Sequence, residues 1–299
     1  MGITHNDGGG AGGHSPRPAR GCVESTFGEP RCFLAQRLVY LAISQRAHGL
    51  TVGVNLNPGC ECNFQCVYCD VRRNRISQGE GVDLKVLDAA VRRALEHAMQ
   101  GDLTSVPAFQ KVPRELLQFQ GVAVSGDGEP TLCPNFSAAL ELLAHLRSIN
   151  PHFKIVVMTN GSGLHLGPVQ EGFQRLSMTD EVWVKLDAGT QAYMEITNRA
   201  SVPLSRILEN VLLLGRRRPL VIQSLFASLD GQEPPPEEIE QYVRRLAELR
   251  EAGAGIQRVL LCSAHRPTAV EGCGHLPLQA LAHIARRIKA VACLDTEVF

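Results

Sequence analysis

Thr51-Val52-Gly53-Val54-Asn55-Leu56-Asn57, followed at once by Pro58-Gly59-Cys60-Glu61-Cys62-Asn63-Phe64-Gln65-Cys66-Val67-Tyr68-Cys69, is the stretch on which the fold turns. Its first half reads as a β-strand and its second as a loop at the C-terminal end of that strand. Cys62, Cys66 and Cys69 have three and then two residues between them. Three thiolates so placed suit three irons of a four-iron cluster and leave the fourth iron without a protein ligand. Sites that only carry electrons normally close every iron with four cysteines. An open iron invites a chelating ligand that offers an amine and a carboxylate, of which an amino acid is the plain case. Cys60 makes a Cys-x-Cys pair with Cys62. A non-catalytic module therefore stands as the alternative, either a four-cysteine structural zinc site or a closed electron-transfer cluster.

Away from this loop the chain alternates between two periodicities. Strand-like segments cover residues 51–57, 118–124, 154–158, 182–186, 220–226 and 257–262, and helix-like segments cover 83–99, 136–149, 205–214, 237–252 and 278–289. In 83–99, Leu84, Leu87, Val91, Leu95 and Ala98 share one face, opposite Lys85, Asp88, Arg92 and Glu96. Asn135 and Ser205 stand where N-caps belong, and Gly215 and Gly253 where helices close. Ahead of the first strand, Phe33, Leu34, Leu38, Leu41 and Ala42 have a spacing that predicts a short helix. Six βα units result, and apolar strands alternating with amphipathic helices predict a parallel sheet covered by helices.

Function in such folds gathers at the C-terminal ends of the strands. The unusual peptides fall there: the cysteines after the first strand and Ser125-Gly126-Asp127-Gly128-Glu129-Pro130 after the second. Thr159-Asn160-Gly161 follows the third and Asp187-Ala188-Gly189 the fourth. Gly126 and Gly128 allow close backbone approach to a ligand, Glu129 offers a carboxylate to an ammonium group, and Pro130 stiffens the turn. Lys185 shares a face with Asp187, free to meet a carboxylate or to pair within the protein.

The cysteine spacing, Tyr68 just before the last cysteine, and a Gly128-Glu129-Pro130 loop one βα unit later together resemble the radical S-adenosylmethionine superfamily over residues 49–289. The resemblance implies a partial (β/α)6 TIM-like barrel, a [4Fe-4S] cluster on Cys62, Cys66 and Cys69, and S-adenosyl-L-methionine at the open iron. It implies reductive cleavage to methionine and a 5′-deoxyadenosyl radical that takes hydrogen from a substrate, fed by a flavodoxin- or ferredoxin-type electron donor. It places Tyr68 against adenine through its backbone, Gly128 and Glu129 at the methionine amino end, Gly126 among the cofactor-binding residues, and Asn160 and Asp187 at ribose or substrate. Further strings are similar to a branch of iron–sulfur oxidoreductases related to the radical enzymes of wybutosine synthesis. These are Asn55-Leu56-Asn57-Pro58, Lys185-Leu186-Asp187-Ala188-Gly189-Thr190 and Thr197-Asn198-Arg199. A tRNA base, a peptide or a metabolite is the substrate class. Many members of the family read Gly-Gly-Glu-Pro where this chain has Asp127 between two glycines.

Thirty Lys plus Arg balance thirty Asp plus Glu, which removes a global electrostatic argument for nucleic-acid binding. No apolar run reaches the roughly 20 residues that span a bilayer. The Gly-rich N-terminus lacks the apolar core of a secretory signal, and Asn6 departs from the myristoylation pattern, so the expected compartment is the cytoplasm. Residues 1–48 are read as an N-terminal extension, mostly disordered to about residue 30, residues 49–289 as the core, and 290–299 as a tail. Cys133, Cys262, Cys273 and Cys293 read as scattered thiols. His265-Arg266-Pro267 is a loop placed to touch adenine or substrate, and Arg216 to Arg218 a solvated turn.

Overall fold

The computed structural model describes residues 24–28, 30–71, 81–100, 103, 106–150, 153–265, 268 and 270–299. The expectation of a disordered tail falls, as far as residue 23, outside them, as do Arg266 and Pro267.

Eight strands among these residues form one sheet. They are β1 (Val39–Ser44), β2 (Gly49–Val54), β3 (Phe119–Val124), β4 (Lys154–Thr159), β5 (Glu181–Lys185), β6 (Leu220–Leu225), β8 (Ile256–Cys262) and β10 (Thr296–Val298), and they neighbour one another in that order. From β2 to β10 every pairing is parallel, and β1 lies antiparallel on the β2 edge. The order never reverses, so the sheet curls one way into an open partial barrel. A separate two-stranded ribbon pairs β7 (Ser228–Leu229) with β9 (Cys273–Gly274).

Helices α1 (Leu84–Gln100), α2 (Phe136–Ile149), α3 (Gly167–Gln174), α4 (Gln191–Thr197), α5 (Leu204–Gly215), α6 (Pro236–Glu251) and α7 (Leu278–Ala292) accompany the strands. Period-two alternation sorts each strand between two apolar layers. On β6, Leu220 and Ile222 enter the large core shared with the helices, whereas Val221 joins Val156, Trp183 and Leu260 in a small inner cluster. No helix among the described residues is long and apolar enough to cross a membrane.

The helix predicted over Phe33 to Ala42 is instead a tight turn and a strand. Leu34 and Ala35 take φ of 50° and 63°, a bridge joins Phe33 to Gln36, and β1 then runs from Val39. Of the five residues read as one helical face, only Leu41 and Ala42 fall in β1, on opposite sides of it, and the strand buries Val39 and Leu41 in the large core instead. Asn135 does stand at the N-cap of α2, its O accepting from Ala139 N at 3.0 Å, but its side chain does not cap, and Ser205 is not at an N-cap. The Asn135 amide holds Val82 at both N (3.1 Å) and O (2.7 Å). Ser205 lies inside the first turn of α5, whose Leu204 N–H donates to Gln191 Oε1 of α4 at 2.7 Å. The Arg216 to Arg218 turn is more than solvated. Arg216 donates to Ala252 O, and Arg218 to the carbonyls of Phe173, Ser177 and Asp180.

Candidate functional site

The cysteine loop leaves β2 at the C-terminal edge of the sheet and is held by backbone bonds on both sides. Gln65 N donates to Asn198 O (3.0 Å), Val67 N to Thr197 O (2.9 Å) and Ser201 N to Asn63 O (3.1 Å), so it runs beside the segment after α4. Cys69 N closes a turn onto Cys66 O at 3.0 Å. Cys62 is buried, Cys66 and Cys69 are half-buried, and none of the three is in a disulfide. The Phe64 N–H points at Cys62 Sγ (3.5 Å) and Asn198 Nδ2 at Cys66 Sγ (3.4 Å), contacts that a thiolate accepts well. Burial pushes the Cys66 thiol up, and nearby Asp187 adds to that. Among the described residues no group of three His, Cys, Asp or Glu side chains has the spacing that holds one ion. A four-iron cluster asks instead for one thiolate at each of three separate irons. Three thiols on one short loop are the donor type such a cluster takes, and a few residues earlier in the chain buried Asn57 keeps an Nδ2 without a hydrogen-bond partner.

The Gly126 to Glu129 loop packs directly on the cysteine loop. A Cβ at Gly128 would stand 2.0 Å from Glu61 O, and one at Gly126 2.2 Å from Asn55 Oδ1. The close approach expected toward a ligand is thus made to protein at both glycines. Glu129 N donates to Glu61 O at 2.9 Å. The buried Glu129 carboxylate joins the ends of β3 and β4. Its Oε1 accepts from Thr131 N, Thr131 Oγ1 and Thr159 Oγ1, and its Oε2 accepts from Asn160 N at 2.7 Å. Burial pushes this carboxyl up, and the four hydrogen bonds pull it back only in part. Asn160 in turn donates from Nδ2 to Asn63 Oδ1 (2.8 Å) on the cysteine loop.

A second group forms around buried Asp187, at the end of β5. Its Oδ2 accepts from Tyr68 OH and from Asn198 Nδ2 (2.8 Å), and its Oδ1 accepts from Leu225 N (2.8 Å). Lys185 Nζ is 3.4 Å from Asp187 Oδ1 and stands over the Tyr68 ring at 5.0 Å. The lysine therefore pairs within the protein. Burial, then Asp187, drives the Tyr68 hydroxyl well above its ordinary range. Gly128, Glu129 and Asn160 thus form one group and Tyr68 and Asp187 another, each fastened to the cysteine loop. Asn198 ties Cys66, Tyr68 and Asp187 together, and the sequence marked it only as part of a resembling string. Asn55 likewise entered only through a resembling string, and Asn63 went unread, because a lone asparagine carries no spacing signal. Cys262 is buried at the end of β8, while exposed His265 stacks on His275 with ring centroids 4.5 Å apart.

Comparison with known proteins places this edge of the sheet in context. The model of the Radical SAM superfamily matches residues 56–226, which takes in the cysteine loop and the ends of β3, β4 and β5. The Synechocystis sp. UPF0026 protein slr1464 is 28% identical over 181 residues, 58% of this chain and 57% of its own length, so the chain spans little more than half of that relative. A radical SAM methyltransferase from Sphaerobacter thermophilus shares the fold at TM-score 0.60 and 17% identity, over 87% of this chain and 68% of its own. Streptococcus suis SuiB bound to S-adenosylmethionine does so at TM-score 0.57 and 14% identity, over 85% and 52%. TYW1 with a lysine–pyruvate adduct gives 0.53 and 17%, over 82% and 74%. With more than half of its length matched, the chain belongs to the radical SAM superfamily.

Proposed function

We propose that Cys62, Cys66 and Cys69 hold a [4Fe-4S] cluster and that S-adenosyl-L-methionine binds between the two groups of residues around the cysteine loop. When bound, the pair supplies one-electron cleavage of a carbon–sulfur bond, giving methionine and a 5′-deoxyadenosyl radical that takes a hydrogen atom from substrate. The chain's part is to bind, orient and keep water away. Gly126, Gly128 and Glu129 form the wall for the methionine amino end. Tyr68 presents its backbone to adenine, and Asn160 and Asp187 lie where ribose or substrate would be met. Lys185 brings a cation whose charge Asp187 already balances. A flavodoxin- or ferredoxin-type protein would deliver the electron, and the substrate class stays open among tRNA base, peptide and metabolite.

The observation that supports this reading is the direct seating of the Gly126 to Glu129 loop on the cysteine loop, Glu129 N to Glu61 O at 2.9 Å. It joins a donor set for iron to a donor set for an amino acid at one edge of the sheet. Anaerobic reconstitution should give a brown protein with about four irons per chain. Dithionite with S-adenosyl-L-methionine should then release 5′-deoxyadenosine. Cys66→Ala should abolish both results. A protein that stays colourless, or that binds zinc and no iron, would overturn the reading.

A further inference from the structure

Residues 30–38 cross the C-terminal edge of the sheet before β1 begins. They are tied there through Asn55, whose N donates to Leu38 O (2.8 Å) and whose Nδ2 donates to Arg37 O (3.1 Å). From this strap the Arg31 guanidinium reaches inward. NH1 donates to Asp127 Oδ1 at 3.1 Å, and NH2 to Asp70 Oδ1 and Oδ2, each at 3.1 Å. Asp70 directly follows Cys69, and Asp127 stands between Gly126 and Gly128. One guanidinium therefore links the two loops that the proposed cofactor site is made of.

The three side chains are only 13%, 12% and 9% exposed for Arg31, Asp70 and Asp127, so solvent cannot substitute for the link. Asp127 is pinned from its other side as well. Asn55 Nδ2 donates to its Oδ2 at 2.7 Å, and its own N–H donates to Asn55 Oδ1 at 3.1 Å. Arg37, half exposed, reaches the same Oδ2 at 3.4 Å. Burial alone works against the Arg31 charge, and Asp70, Tyr40 and Asp127 together more than offset it. Asp127, the residue by which this loop departs from the common Gly-Gly-Glu-Pro form, thus has its counterpart in the strap.

We propose that Arg31 is a positioning residue of the cofactor site. It fixes the cysteine loop and the Glu129 loop at one separation, so that the strap belongs to the site rather than to a detachable extension. The functional half of this proposal rests on the cofactor reading above. Without Arg31 the guanidinium that joins Asp70 to Asp127 is gone, while Asn55 and Arg37 still hold Asp127, so the link between the two loops is what is lost.

The test uses the full chain with Arg31→Met, Arg31→Lys and the double variant Arg31→Met with Asp127→Asn. Hydrogen exchange is first read by mass spectrometry on metal-free protein. Arg31→Met should speed exchange in residues 59–70 and 125–132 together, by roughly tenfold or more, with α6 unchanged. Arg31→Lys should recover part of the loss, since an ammonium keeps the charge but not the fork. The double variant should also recover part, because it lowers the negative charge that Arg31 balanced at the junction. S-adenosyl-L-methionine binding to reconstituted protein should then weaken by a similar factor at an undiminished iron count. Unchanged loop exchange, uniform loosening that includes α6, or full cofactor affinity in Arg31→Met would each overturn the proposal. If the unaltered protein takes up no iron, the cofactor reading falls, while the exchange experiment still decides whether Arg31 sets the loops.

Discussion

Asn198 concentrates more chemistry in one side chain than any other residue of the site. Its single amide faces Cys66 Sγ, Tyr68 OH and Asp187 Oδ2, at 3.4, 3.0 and 2.8 Å. An N–H donor aimed at a ligating sulfur stabilises the more reduced cluster and raises its potential. Asn198→Leu should therefore lower the reduction potential of the reconstituted protein, followed by electron paramagnetic resonance in a redox titration. It should also cost about 1–3 kcal/mol of stability, because Asp187 loses a donor in a buried place. An unchanged potential at full iron load would show that the contact has no hold on the metal. Residues of this kind explain why the site was only half legible. Cys62, Cys66 and Cys69 announce themselves by spacing, and Glu129 by its glycine neighbours. Asn198 and Arg31 act through partners 132 and 96 positions away along the chain, which no local pattern encodes.

At the scale of elements, the inner face of the sheet carries a charge ladder far from the cysteine edge. Lys154 Nζ at the start of β4 meets Glu181 Oε1 at the start of β5 (2.8 Å). Arg258 of β8 meets Glu181 Oε2 at 2.9 Å and Glu297 of β10 at 2.9 Å. Burial alone would lift the Glu181 carboxyl, but Lys154, Trp183 and Arg258 together hold it below its ordinary value. A carboxyl lowered in the folded state lends stability above its unfolded pKa and withdraws it as pH falls through the folded value. Glu181→Gln should thus cost on the order of 1–3 kcal/mol near neutral pH. The gap to the unaltered protein should close below about pH 4. Urea melts across that range read the difference directly, and a gap that persists into acid would mean packing, not charge, is responsible. The six parallel strands and five longer helices were readable because each repeats its apolar period several times. α3 and α4, with eight and seven residues, and β10, with three, are too short to display a period. β1 misled because the apolar residues read as one face belong partly to the turn at Leu34 and Ala35 and partly to the strand.

For the whole molecule, the consequence of an open sheet is that its first edge needs a cover. β1 supplies it, pairing with β2 along its full length from Val39↔Val54 to Ser44↔Gly49, with Val39 and Leu41 buried in the core. A chain begun at residue 49, where the sequence set the boundary of the core, would bare the β2 edge. It would also lose Phe33, Val39 and Leu41 from the core, buried side chains worth about 1.5–3 kcal/mol each. Such a chain should aggregate or melt without a cooperative transition in calorimetry, whereas the full chain should melt in one. A sharp, reversible transition from the shortened chain would show that the boundary was right.

Trp183 is the sole tryptophan of the chain, and it lies on the concave side of the sheet. Its Nε1 donates to Glu181 Oε2 at 2.6 Å, and Arg46 sits over the ring at 5.7 Å. The molecule consequently carries its own optical probe. Excited in the indole band, its ultraviolet emission comes from a single known depth and shifts when that hollow is wetted, without a label.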